Sequence, residues 1–265
     1  MYIDGCSINN YGGWNTAIGC SGNVTIKNTT IKVNKNSGGE DVGIIYGGAQ
    51  SEQSITIDKC DVYNAGMEGI RIDNNDAKTN LTKAAISNSS VHECSTGIKV
   101  NTGTATISGS NIYSNKYGID NKGTLYFKSG NVYSNTYGGR NYGTLHMSGG
   151  TIYANTYDGI RNAGTLNISG GTIKNNQYGV RNGFYDEDNV LKSGTLNVSG
   201  GVIQSNTQDG IYNYSGTATI TGGTIKDNKR YGTYNQATMN YTGGSSGGNS
   251  CLLYTSPSPR DTERS

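Results

Sequence analysis

GTLNISGGTIKNNQYGVRN, residues 164–182, is the stretch whose reading decides the fold. Leu166 and Ile168 alternate with Thr165, Asn167 and Ser169, the period of two expected of a strand with one buried face. Gly170 and Gly171 break that strand, residues 172–174 give a second with Ile173 inward, and residues 176–179 turn the chain before Val180 buries the one apolar side chain of a third. Three strands and three turns close one three-sided rung. Apolar residues never recur at helical spacing across a window, so no helix is expected.

The same phrase returns from Gly103, Gly123, Gly143, Gly194 and Gly216, so the starting glycines lie 20, 20, 21, 30 and 22 residues apart. A period of that size belongs to a solenoid whose rungs stack only on their neighbours. Parallel rungs sit about 4.8 Å apart, which turns each motif position into a column. One apolar column is Ile107, Phe127, Met147, Ile168, Val198 and Ile220, and another is Ile112, Val132, Ile152, Ile173, Ile203 and Ile225. Asn115, Asn135, Asn155, Asn176, Asn206 and Asn228 form a third, read as a structural amide ladder.

Only 32% of the chain is apolar, below the usual share of about 45–50%. A thin coil needs few inward aliphatics per rung, and its outer faces accommodate Thr, Ser, Asn, Lys and the 20 tyrosines. A net charge of +2 gives no electrostatic case for a nucleic-acid partner. No apolar run reaches the roughly 18 residues of a membrane span, so no membrane insertion is expected.

Residues 1–102 carry the same architecture in a more worn form: NVTIKNTTIKV, SITIDKCDVYN and AAISNSSVHEC supply first and second strands, and VGIIY, EGIRI and TGIKV the third. Longer excursions interrupt these rungs at residues 34–41 and 73–80. YIDGCSI follows Met1 in mid-strand, so the native start is expected upstream. Repeats end near residue 248, and CLLYTSPSPRD, residues 251–261, resembles the translation of a transposase adapter from DNA sequencing libraries. The expected organisation is thus one solenoid over residues 1–248 of a longer chain, with a disordered, non-biological tail over 249–265. Cys6 and Cys60 share a column two rungs apart, too far for a disulfide, and Cys94 takes an asparagine-ladder position. His92 and His146 sit singly on outward strand positions, and no Cys/His cluster suggests a metal.

Function is sought in the outward columns. Tyr117, Tyr137, Tyr157, Tyr178 and Tyr231 are read as one column, and Tyr113, Tyr133 and Tyr153 as a second, whose rings would lie flat against sugars. Tyrosine also suits a half-exposed strand for packing reasons alone. Arg140, Arg161 and Arg181 follow the third turn, with Arg71, Lys99 and Asp120 earlier in the same position. Stacked cations must splay into water or meet anions. The insertion GFYDEDNVLKS, residues 183–193, is expected to bring Asp186, Glu187 and Asp188 to Arg161 and Arg181. Asp158 and Asp209, two rungs apart, are a candidate acid/base pair with Asp186 beside them. DNNDAK and DEDN are candidate Ca²⁺ segments; no other cofactor is expected.

These coils resemble right-handed parallel β-helices of the pectin lyase-like superfold. The wording SGGTI followed by YGVRN or DGIRN is similar to adhesin-like surface proteins of bacteria and archaea. That resemblance implies an all-β, single-stranded right-handed parallel β-helix, an extracellular or cell-surface location, and polysaccharide or host glycan as partner. Together with the outward columns, it points to a non-enzymatic stalk or shallow binding rod, for which the columns offer Tyr117, Tyr137, Tyr157, Tyr178, Arg140, Arg161 and Arg181 as contact residues. The competing class within the same superfold is a polysaccharide lyase or glycoside hydrolase acting on acidic polysaccharide, with Asp158, Asp186, Asp209, Arg161 and Arg181 as its site.

Overall fold

A computed structural model describes residues 1–10, 16–34, 41–47, 52–73 and 82–255. Apart from one small hairpin, its strands pair in parallel, coil upon coil. First and second strands of successive coils join into a 20-stranded sheet bent around the glycine corner, and the third strands form an 11-stranded sheet. The register follows the repeat: Leu145, Leu166 and Leu196 align, as do Met147, Ile168 and Val198, and Ile152, Ile173 and Ile203. These inward side chains are buried. At about 1.5–3 kcal/mol for each large aliphatic removed from water, four per coil hold a rung that no local propensity would sustain alone. Residues 35–40 and 74–80, most of the two expected excursions, lie outside the described residues, as do 256–265. Cys251–Thr255 pairs with Tyr231–Asn235, carrying the third-strand ladder past residue 248.

Each regular coil has a left-handed residue at its second corner: Ser114, Ser134, Ala154, Asn175 and Ser205 have φ of 57°, 54°, 53°, 56° and 56°. That twist aims the following asparagine inward. Asn155 is 3% exposed; its Oδ1 accepts from the backbone N–H of Asn135 at 3.0 Å and from Asn135 Nδ2 at 3.1 Å. Its own Nδ2 donates to Val132 O and Asn176 Oδ1. The ladder runs from Asn115 to Asn249, and Cys94 heads it by donating its N–H to Asn115 Oδ1. A second ladder, absent from the sequence reading, ends the third strands: Asn121, Asn141, Asn162, Asn182, Asn213 and Asn235 are joined Nδ2 to Oδ1 at 2.6–2.8 Å. The five described cysteines are free thiols.

The third strand departs from simple alternation. Pairing runs Tyr117 to Tyr137, Ile119 to Gly139, Asp120 to Arg140 and Asn121 to Asn141, omitting Gly118 and Gly138. A Cβ at Gly138 would point into the core, 2.9 Å from Ile152 Cγ2 and 2.8 Å from Asn155 Nδ2. The next position also points inward, as buried Ile160 shows beside Gly159. Two consecutive inward residues kink the strand, so the residues flanking them, at i and i+3, both emerge on the outer face. That kink builds the candidate site.

Candidate binding face on the third-strand sheet

Two outward columns result. The first is Val42, Glu68, Thr96, Tyr117, Tyr137, Asp158 and Tyr178; the second is Ile45, Arg71, Lys99, Asp120, Arg140, Arg161, Arg181 and Tyr212. Because the strand is kinked, the columns interlock. Guanidinium groups of Arg140, Arg161 and Arg181 lie over the rings of Tyr117, Tyr137 and Tyr178 at 4.2, 4.2 and 4.3 Å, within cation–π range.

The arginine column does meet anions, but chiefly from within the face. Asp158, fully buried, takes Arg161 Nε on one carboxylate oxygen and Arg181 Nε on the other, the latter at 3.1 Å. Asp120, 2% exposed, accepts from Arg140 Nε and Nη2 at 3.2 and 3.0 Å. Glu68 binds Arg71 and Lys99, and Asp209 binds Arg230 and the Tyr231 N–H. These carboxylates are tolerable in a dry setting because each is paired and hydrogen-bonded.

Tyr157 is not a member of the tyrosine column. The coil holding it has one extra residue, so Asp158 pairs with Tyr178 and, in the register set by Gly139 with Ile160, aligns with Tyr137. Tyr157 swings outward, 43% exposed, with its ring still stacked 5.1 Å from Tyr137. Nor do the column's rings lie open to a sugar face. Tyr117 and Tyr137 stack on each other at 5.3 Å and 14°, and guanidinium groups cover them, so they present edges and hydroxyls. The second tyrosine column is longer than its letters suggest: Tyr63, His92, Tyr113, Tyr133 and Tyr153 stack at 4.6–5.1 Å. His92 is therefore a member of a stack, 3.1 Å from Asp61 through Nε2, and His146 stacks on Tyr126 at 4.8 Å.

The insertion folds over this face as a hairpin, Phe184–Tyr185 against Leu191–Lys192. Its acids do not reach Arg161 and Arg181. Asp186 closes the hairpin turn by accepting the N–H groups of Val190 and Asp188, and it pairs with Lys192 at 3.1 Å; the Val190 bond above all holds its carboxyl below the ordinary range. Glu187 instead meets Arg140 and Tyr117. What the hairpin sets beside Arg161 and Arg181 is aromatic: Phe184, Tyr185, Tyr212 and Tyr214 wall a cleft of about 300 Å³ over the two guanidinium groups. Burial pushes the Tyr212 hydroxyl up to about 12, and the hydroxyl donates to Gln236 Oε1 at 2.9 Å. Of the two Ca²⁺ segments, DEDN has its Asp186 and Glu187 carboxylates engaged by protein groups, and residues 74–78 of DNNDAK lie outside the described residues. Among the described residues no three His, Cys, Asp or Glu side chains converge as a metal site would require, and no helix is long and apolar enough to cross a membrane.

No family model matches the chain and no curated protein matches it. Among solved structures, the A-module of the mannuronan C-5 epimerase AlgE6 from Azotobacter vinelandii is similar at a TM-score of 0.71, over 97% of this chain and 90% of that one, with 15% identical residues. At such identity the likeness is one of fold: this chain is a parallel β-helix repeat protein.

Proposed function

We propose that the chain is a non-enzymatic β-helical rod of a secreted or surface-anchored, adhesin-like protein, binding acidic polysaccharide along its third-strand face. The observation that carries this is the sharing of one buried carboxylate by two arginines. Arg161 and Arg181 keep side chains 21% and 23% exposed, with only Asp158 between them, beneath an aromatic wall. A cation surplus framed by Phe184, Tyr185, Tyr212 and Tyr214 suits a sugar bearing a carboxylate, the guanidinium taking the charge and the rings the apolar face. Shallow contacts repeated at rung spacing gain strength by multivalency.

The enzymatic reading draws support from the fold neighbour, a mannuronan C-5 epimerase by its own description. Against it stands the placement of the acids: Asp158 and Asp209 are fully buried and each is held by arginine, so neither presents a carboxylate oxygen to the outer surface. Calorimetric titration with a hexameric uronate separates the two. Arg161→Gln leaves Asp158 its Arg181 partner, so the fold should hold while affinity falls about tenfold, the loss of one charged hydrogen bond. Binding unmoved by that substitution would dismiss the arginine cleft. Unsaturated products or new ends, above blank and abolished in Asp158→Asn, would decide for the enzyme.

A further inference from the structure

Glu187 differs from every other acid on this face. Its side chain is 70% exposed on the hairpin, yet its Oε1 accepts from Arg140 Nη1 at 3.1 Å and from the Tyr117 hydroxyl at 3.0 Å. Arg140 is already held through Nε and Nη2 by buried Asp120, so Glu187 takes only the remaining outward edge of the guanidinium. Asp120 belongs to the stacked core of the face, whereas Glu187 comes from 47 residues away at the exposed tip of the hairpin, beyond the point where buried Phe184 anchors it. Burial pushes the Tyr117 hydroxyl up to about 12, and the hydroxyl donates to Glu187 Oε1. The Tyr117 hydroxyl and Arg140 in turn hold the Glu187 carboxyl below the ordinary glutamate range, so it stays ionised in weak acid. Around it, Lys122, Tyr142, the Asp186–Lys192 pair and Asp188 line a cleft of about 410 Å³.

An outward guanidinium edge, a phenol hydroxyl and the Lys122 ammonium are donors that suit a sugar carboxylate, whereas Lys192 is taken by Asp186. We propose that Arg140 and Tyr117, with Lys122 and Tyr142 beside them, form a uronate-carboxylate subsite, and that Glu187 fills it as an internal substitute which an acidic polysaccharide displaces. This rests on the reading of the third-strand face as a binding surface. The subsite lies one rung from Arg161, so an extended chain of uronates spans both. A tethered carboxylate competes at high effective concentration, and the apparent affinity of the free protein is lowered by the fraction in which Glu187 is docked.

Glu187→Gln is the test, because the exposed side chain can lose its charge without loss to the core. Titrated with a hexameric uronate, Glu187→Gln should bind about five- to tenfold more tightly than the parent protein, while an uncharged hexameric glucan should not distinguish the two. Equal gains for both sugars would make the hairpin a steric cover and overturn the proposal. Uronate binding weakened by Arg161→Gln but indifferent to Glu187→Gln would overturn it while leaving the binding face intact. No uronate binding by either protein would remove both readings together.

Discussion

Alanine at Gly138 is expected to destabilise the protein by about 3 kcal/mol or more, while alanine at the adjacent Gly139 leaves it unharmed or slightly more stable. A Cβ on Gly138 would stand 2.4 Å from the carbonyl oxygen of Gly159, with Ile152 and Asn155 blocking retreat. That carbonyl belongs to the next coil and cannot shift without moving the stack. At Gly139 the nearest atoms to a new Cβ are 3.9 Å away, ordinary contact distance, in a buried column whose neighbours are Ile119 and Ile160. There alanine reduces the entropy of the unfolded chain at no steric cost, worth about 0.4–1 kcal/mol. Urea denaturation followed by circular dichroism gives both values. Equal effects at the two glycines would refute the strand kink.

Asn155→Ala should cost about 3–4 kcal/mol. The substitution strips an acceptor from the Asn135 N–H and Nδ2 and a donor from Val132 O and Asn176 Oδ1, all in a buried column, and each abandoned group loses about 1–3 kcal/mol before local relaxation. Asn155→Asp is the sharper experiment. It keeps the acceptor toward Asn135 but turns a second oxygen on two acceptors, which favours the protonated acid in the folded state. Its folded pKa is therefore raised above the unfolded value near 3.9, so stability should be greatest below that pH and fall as pH rises through the folded pKa. A variant whose stability ignored pH between 3 and 7 would show that the ladder does not depend on donor direction.

Much of this architecture was legible because the first two strands obey simple alternation. Leu166, Ile168 and Ile173 name their own columns, and coil-to-coil pairing follows them. The third strand hid its face because two consecutive inward residues break the period of two. Aligning by the letter Tyr placed Tyr157 with Tyr137, whereas aligning by the inward glycine, Gly138 with Gly159, would have brought Asp158 into the column and revealed the partner shared by Arg161 and Arg181. Asn121 and Asn141 escaped notice because asparagine at a strand end reads as a turn residue, and only stacking shows that its amide is buried. The hairpin's direction was unreadable: one insertion after Asn182 can lean toward either neighbour, and the Glu187 bond to Arg140 settles it.

The i and i+3 emergence of side chains from every kinked strand has a consequence for selectivity. An identical pair of outward positions recurs at each step of about 4.8 Å, so the face is a ruler with a fixed tick. A polymer whose own monomer spacing is commensurate with that tick meets the next guanidinium as it left the last. One with a longer or shorter monomer beats against it and drifts out of phase within a few units, whatever its charge.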